Sequence, residues 1–364
     1  MKYYIIAGEA SGDLHASNLI KGLKEIDSTA EFRGWGGDRM QSHGAKIVKH
    51  YKELAFMGFV EVVLNIKQIL SNLKLCKEDI LNYKPDVVIL IDYPGFNLRI
   101  AKFLRTNGIK VVYYISPQIW AWKKSRIHTI NKAVDQVLVI LPFEKQFYKK
   151  HGMEVEFVGH PLLDAISDKH LNSRPLIDEK KTVALLPGSR KQEIRSVLPV
   201  MLSVIDEFPE VDFVIAGIST LGENFYRPFI EGRKVKLEMD KTYDLLSNSN
   251  AALVTSGTAT LETALIGVPE VVCYKAGWIS FSIARWLIKV KYISLVNLIM
   301  DKLVVKELIQ NNLNTGQLCE ELNSLIKDET YRRKMFSEYD NLRKVLGGKG
   351  ASDRAAEKIY SLLK

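Results

Sequence analysis

Two carboxylates stand where strand-like runs stop. Asp92 follows the apolar run Val87 to Ile91 and precedes Tyr93-Pro94-Gly95, while Glu9 sits in the turn Ala7-Gly8-Glu9-Ala10-Ser11-Gly12-Asp13 behind Tyr3 to Ile6. A carboxylate at a strand end can take a proton from a hydroxyl that comes within ~3 Å, directly or through one water. The competing reading of Asp92 is local, since Asp-x-Pro-Gly also builds turns. Glu9 projects from a glycine-rich turn at the sheet edge with no capping duty of its own, and the expectation is that it faces a ligand. Asp13 is expected to cap the helix beginning near it. Gly8 and Gly12 permit close backbone approach there, and the free N–H groups of a helix start suit an anion.

Two later turns have the composition of a diphosphate site. Pro187-Gly188-Ser189 ends the run from Thr182 and delivers Arg190 ahead of a helix, and Thr255-Ser256-Gly257 opens a helix with the small residues Thr258, Ala259 and Thr260. Backbone N–H groups at such starts, joined by a forked guanidinium, match phosphate oxygens. An ordinary turn with a solvent arginine is the alternative. Glu262, one turn into its helix, could accept from ribose hydroxyls or simply favour the helix dipole. Neither G-x-G-x-x-G nor G-x-x-x-x-G-K-[ST] occurs, so NAD and P-loop nucleotides lose support. None of the seven histidines forms H-x-H or H-x-x-x-H, which speaks against a metal site; no cofactor is expected.

The segment "SPQIWAWKKSR" interleaves Trp120 and Trp122 with Lys123, Lys124 and Arg126. Aromatic and basic residues in this order fit single-stranded nucleic acid, or equally a phosphorylated and partly apolar acceptor. No RNA-binding motif accompanies them, and a nucleic-acid partner is not expected. Glu53 to Leu70 is more apolar than a surface helix requires, with Phe56, Met57, Phe59 and Val60 around a glycine. Such a patch serves a core, or it contacts acyl chains at a membrane.

Short β-branched runs alternate with helical patterns throughout. Strands are expected at Tyr3 to Ala7, Val87 to Ile91, Val111 to Ile115, Val137 to Ile140 and Val155 to Val158. After the polar stretch Ser167 to Lys181 the rhythm restarts at Thr182 to Pro187, Asp212 to Gly217, Val235 to Met239, Ala251 to Ser256 and Glu270 to Lys275. Unbroken apolar strands joined by helices imply parallel sheets covered on both faces. A chain of 364 residues is long for one core. The expectation is α/β: two doubly wound Rossmann-like domains facing a central cleft, residues 1–166 and 167–349, with a helix at about 350–364 packing back onto the first. Ligands in such sheets lie outside the strand carboxyl ends.

Three scattered cysteines imply reduced thiols in a cytosol. The opening strand leaves no room for a secretory signal. The stretch from Trp278 is broken by Arg285, Lys289 and Lys291, so no spanning helix is expected, and a net charge of +9 favours anionic partners.

The collinear segments "AGEASGD", "ELAFMGFVEV", "KPDVVILIDYPGFN", "SPQIWAWKKSR", "LPFEK", "FVGHPL", "LLPGSR", "SGTATLE" and "SLVNLIMDKLVVKELIQ" span nearly the whole chain and closely resemble the lipid-A-disaccharide synthases, glycosyltransferases of the GT-B fold. The resemblance implies inverting, metal-independent transfer of 2,3-diacylglucosamine from UDP to the 6-hydroxyl of 2,3-diacylglucosamine 1-phosphate, forming a β-1,6 bond. It also implies peripheral attachment to the inner membrane of a Gram-negative bacterium; a homodimer is left open. It places Asp92 as the base and Glu9 beside it. Gly8, Ser11, Gly12, Trp120, Trp122, Lys123 and Arg126 fall at the acceptor. Gly188, Ser189, Arg190, Ser256, Gly257, Thr258, Glu262, Asn297, Glu307 and Gln310 fall at the donor. The pattern departs at Val296, where a proline is usual, at Met300-Asp301, and at Gly95, often an aspartate. Competing readings are another UDP-sugar enzyme of this architecture, either the peptidoglycan lipid-intermediate transferase or a UDP-sugar 2-epimerase, and a non-catalytic nucleotide-sugar-binding protein.

Overall fold

The computed structural model describes residues 1–54, 66–120, 125–171, 181–275 and 291–364. The chain divides into two compact units, Met1–Ala165 with Leu346–Lys364, and Ile166–Val345.

The first unit holds seven parallel strands: β1 (Lys2–Ala7), β2 (Glu31–Gly36), β3 (Ala45–His50), β4 (Val87–Ile91), β5 (Lys110–Tyr114), β6 (Gln136–Val139) and β7 (Glu156–Phe157), in the order β3-β2-β1-β4-β5-β6-β7. Every residue of β4 is buried, as an unbroken Val-Val-Ile-Leu-Ile run demands when both faces are covered. Alternate residues serve opposite layers. Tyr3, Ile5 and Ala7 enter one core with Ala16, Leu19 and Leu23, while Tyr4 and Ile6 enter another with Trp35, Phe96 and Tyr113.

The closing helix Ala351–Leu363 packs on the helix Ala10–Ile26. The two approach so closely at Gly22 that a Cβ there would stand 3.2 Å from Ala356 Cβ. Asp164 accepts from the N–H groups of Gly350 (2.7 Å) and Ser352 (2.8 Å), fixing where that helix starts.

The second unit holds six parallel strands: β8 (Thr182–Leu186), β9 (Asp212–Gly217), β10 (Val235–Met239), β11 (Ala251–Thr255), β12 (Glu270–Tyr274) and β13 (Lys306–Ile309), in the order β10-β9-β8-β11-β12-β13. Both sheets are therefore doubly wound, and each reverses its strand order once, between β1 and β4 and between β8 and β11. Among the described residues no helix is long and apolar enough to cross a membrane.

Candidate active site

Glu9 and Asp92 occupy the reversal of the first sheet. β1 and β4 are neighbours with Ala7 opposite Ile91, so the residues that follow them emerge side by side where their helices leave in opposite directions. Glu9 is the N-cap of the helix Ala10–Ile26, and its carbonyl accepts from Asp13 N at 3.0 Å. Its side chain makes no capping bond and is exposed, which leaves the carboxylate available.

Asp13 departs from expectation. It lies inside the helix rather than at its start, and its carboxylate accepts from the N–H groups of Gly37 (2.7 Å), Arg39 (3.1 Å) and Met40 (3.2 Å). It thus caps the next helix, Asp38–Ser42, a tertiary duty invisible to local spacing. The glycines also answer to the protein itself. A Cβ on Gly8 would lie 2.4 Å from the Tyr93 ring, and one on Gly12 would lie 3.2 Å from Ala7 Cβ. Their missing side chains make way for Tyr93 and for helix-on-strand packing.

Asp92 and Tyr93 both adopt left-handed backbone, φ 43° and 47°, and Ile115 at the end of neighbouring β5 does likewise at 62°. For residues with a Cβ this costs roughly 1–2 kcal/mol each, so the turn persists only because its surroundings impose it. Asp92 is open to solvent on one side and surrounded by protein on the others. That crowding is the main cause raising its pKa to about 6; the Glu9 charge adds to it, while the Tyr93 N–H and the Arg126 charge oppose it. Burial first, then Glu9, also raises the Tyr93 phenol. A carboxylate with a pKa near 6 is a stronger base than an ordinary aspartate and is still ionised at neutral pH.

Trp120 donates from Nε1 to Glu144 at 3.3 Å and meets Phe143 edge-on. Sequence reasoning gave Glu144 no role. It is 1% exposed, accepts from Ile140 N (3.3 Å) and Leu141 N (3.0 Å), and burial drives its pKa up to about 8 against those bonds. The Leu-Pro-x-Glu start of a helix was its only signal. Arg126 begins the helix Arg126–Ala133. Trp122, Lys123, Phe56, Met57, Phe59 and Val60 lie outside the described residues.

In the second unit the reversal between β8 and β11 carries the other two turns. Gly188 has φ 106°, and a Cβ there would press on Glu193 Oε2 at 2.9 Å and Thr255 Cγ2 at 3.1 Å. Ser189 is exposed, as is Arg190, the N-cap of the helix Lys191–Leu202, whose guanidinium meets Glu193 at 3.3 Å. Gly257, φ 156° and ψ −160°, caps the helix Thr258–Ile266 in a region reserved for glycine. Thr258 and Gly257 are exposed, and the first N–H groups of such a helix have no intrahelical acceptor. Ser256 Oγ donates to Ile293 O at 3.0 Å. Glu262 accepts from Tyr243 Oη at 2.8 Å; burial raises its pKa and that bond opposes the rise.

Asn297 is fully buried, and its amide is spent. Nδ2 donates to Val305 O (2.8 Å) and Glu307 Oε1 (2.9 Å), while Oδ1 accepts from Val304 N (2.8 Å) and Val305 N (3.0 Å). Two donors and two lone pairs are the whole capacity of an asparagine side chain, so Asn297, expected at the donor site, spends its amide on holding this loop together. Glu307 receives the N–H groups of Ile293 (3.1 Å) and Ser294 (2.9 Å), which precede the helix Leu295–Met300. Val296 is buried on that helix, and Asp301 ends it in left-handed backbone. Gln310 follows β13 with φ 54°. At Gly95 nothing lies within 4 Å of a Cβ position. Among the described residues no group of three or more His, Cys, Asp or Glu side chains could hold a metal ion.

A family model described as lipid-A-disaccharide synthetase matches residues 3–359. The lipid-A-disaccharide synthase of Syntrophus aciditrophicus is 41% identical over 372 residues, covering 99% of this chain and 97% of its own. That of Nitrosococcus oceani is 39% identical over 370 residues, covering 99% and 95%. Among solved structures, the UDP-GlcNAc 2-epimerase of Neisseria meningitidis bound to UDP-GlcNAc superposes with a TM-score of 0.66 at 14% identity, covering 100% of both chains. A glycotransferase of kitacinnamycin gives 0.67 at 11%, covering 100% and 99%. The structures share the two-domain α/β fold; the sequence relatives carry the family.

Proposed function

The chain belongs to the lipid-A-disaccharide synthetase family and is a glycosyltransferase, and from that premise we propose that it moves 2,3-diacylglucosamine from UDP onto the 6-hydroxyl of 2,3-diacylglucosamine 1-phosphate. The observation that carries the residue assignment is the pairing of Glu9 with Asp92 at the reversal of the first sheet, where crowding and the Glu9 charge lift Asp92 to a pKa of about 6. Asp92 takes the hydroxyl proton as the acceptor oxygen attacks the anomeric carbon from the face opposite the leaving group. One carbon–oxygen bond forms, the bond to UDP breaks, and the anomeric centre inverts. Arg190 and the N–H groups at Gly257 and Thr258 would take up the charge developing on the departing diphosphate. Glu9 and Arg126 would set the field around the base, with Trp120 beside the acceptor. Gly188, Ser189, Ser256, Glu262, Glu307 and Gln310 complete the donor assignment, Asn297 acting through Glu307.

We further propose peripheral attachment to the inner membrane. The helix Ile66–Tyr83 turns Leu73, Cys76 and Ile80 inward yet leaves Ile66 (55%), Leu70 (56%), Leu75 (42%) and Leu81 (43%) exposed, which together with the net charge of +9 suits an anionic lipid surface. The test is incubation with UDP-diacylglucosamine and diacylglucosamine 1-phosphate in detergent. UDP should appear in step with disaccharide. UDP-sugar epimerised without acceptor, or bound without turnover, would sink the reading.

A further inference from the structure

The turn that presents Asp92 is gripped from beneath by two buried side chains on different elements. Tyr113, fully buried on β5, donates its hydroxyl to the carbonyl of Asp92 at 2.6 Å. Asn97, fully buried on the helix Pro94–Thr106, donates Nδ2 to the same carbonyl at 2.8 Å and to Ile91 O at 3.2 Å. The N–H of Asp92 donates to Ile115 O at 3.2 Å, so both ends of the residue are tied. With N–H and C=O held inward and φ at 43°, the side chain has one direction left, outward to solvent. The backbone would otherwise relax, because left-handed residues occur singly, and here an aspartate is followed by a tyrosine in the same region.

We propose that Tyr113 and Asn97 are positioning residues for the transfer: they hold the Asp92 peptide in the orientation that aims its carboxylate at the acceptor hydroxyl. Neither touches substrate. Their effect passes through Asp92, so the inference rests on Asp92 being the base.

Tyr113→Phe removes one oxygen and keeps the ring; Asn97→Ala is the second arm. Each should lower kcat about tenfold, within what a misplaced catalytic group loses, while the donor KM changes little; the melting temperature should fall modestly for Tyr113→Phe and further for Asn97→Ala, which removes the buried donor to the Ile91 carbonyl. The deciding measurement repeats both substitutions in an Asp92→Asn background. A positioning role leaves the residual rate of Asp92→Asn unchanged, since no carboxylate remains to aim. Losses of equal size in that background, or wild-type kcat in both single variants, would overturn the inference while leaving the base intact. Normal turnover by Asp92→Asn alone would instead remove the base reading and this one with it.

Discussion

The two sheet reversals have the same topology and spend their polar groups differently. In the first unit Glu9 and Asp92 are both exposed at strand ends, Glu9 on extended backbone and Asp92 in a turn held in left-handed backbone, and the Asp92 pKa is lifted toward neutrality. In the second unit Asn297 exhausts its amide on Val304, Val305 and Glu307, Glu307 receives N–H groups ahead of a helix, and Ser256 donates to Ile293. What faces outward there is Arg190 and the first turn of the helix Thr258–Ile266. If the proposed roles hold, the group that would change protonation is kept poised by its surroundings, whereas the groups that would receive a diphosphate are backbone N–H donors in loops fixed by satisfied side chains. On the proposed assignment the first reversal would serve proton transfer and the second would hold the leaving group.

That contrast breaks if the same kind of substitution has the same kind of effect in both places. Asp92→Asn should lower kcat by at least ~10²-fold, equivalent to about 2.7 kcal/mol or more in the barrier, with UDP affinity by calorimetry unchanged. Asn297→Ala should do the reverse. It strands the buried N–H groups of Val304 and Val305, so unfolding of the second unit should come earlier by about 2–4 kcal/mol, taking UDP affinity with it. Lost UDP binding at undiminished stability would make Asn297 a ligand contact after all.

How much of this was legible follows from what each residue answers to. The runs Val87 to Ile91 and Asp212 to Gly217 coincide with β4 and β9 because continuous apolar residues are a local signal of a covered strand, and Val235 to Met239 coincides with the edge strand β10 because apolar residues alternate there with Lys236 and Glu238. β2 was missed: Glu31–Gly36 contains glycines, and Gly34 stands where a Cβ would meet Ile5 O at 1.9 Å, so the strand exists for its neighbour's sake. β3, with Lys46, Lys49 and His50, reads as a surface segment because it is an edge. β13 is four residues with a charged start. Asp92 and Glu9 are placed by their strand ends, and the bonds of Glu144 to Ile140 and Leu141 follow from a Leu-Pro-x-Glu helix start, but the bonds of Asp13 to Gly37, Arg39 and Met40 join residues distant in the chain and those of Asn297 depend on how its loop folds, which no spacing rule encodes.

A smaller effect separates holding from catalysis within the second unit. Glu270 opens β12 fully buried, and neither carboxyl oxygen has a hydrogen-bond partner. Burial raises its pKa well above the ordinary value. The folded state therefore keeps a proton that the unfolded chain releases near pH ~4.3, so the stability associated with this group is full below that pH and is lost as pH rises toward the folded pKa. Glu270→Met removes the burden. The variant should melt higher than the parent, by about 1–3 kcal/mol at pH 8 and less at pH 5, with kcat unchanged. A gain independent of pH would mean that packing, not ionisation, set the cost.

The finest distinction lies inside the carboxylate pair. Surrounding protein is the larger cause raising Asp92 and the Glu9 charge the next, with Arg126 opposing. If the base works as its ionised form, kcat/KM climbs with pH through about 6 and levels above it. Glu9→Gln removes one negative charge at constant size, which favours ionised Asp92. The acid limb should then move to lower pH, toward the ordinary value of 3.8 without reaching it, since the crowding remains. Arg126→Gln should move the same limb upward. Each shift should shrink as salt is added, because charge coupling at a solvent-open site is screened and desolvation is not. A limb that stays fixed in both variants would detach Glu9 and Arg126 from the base and leave burial alone to tune it.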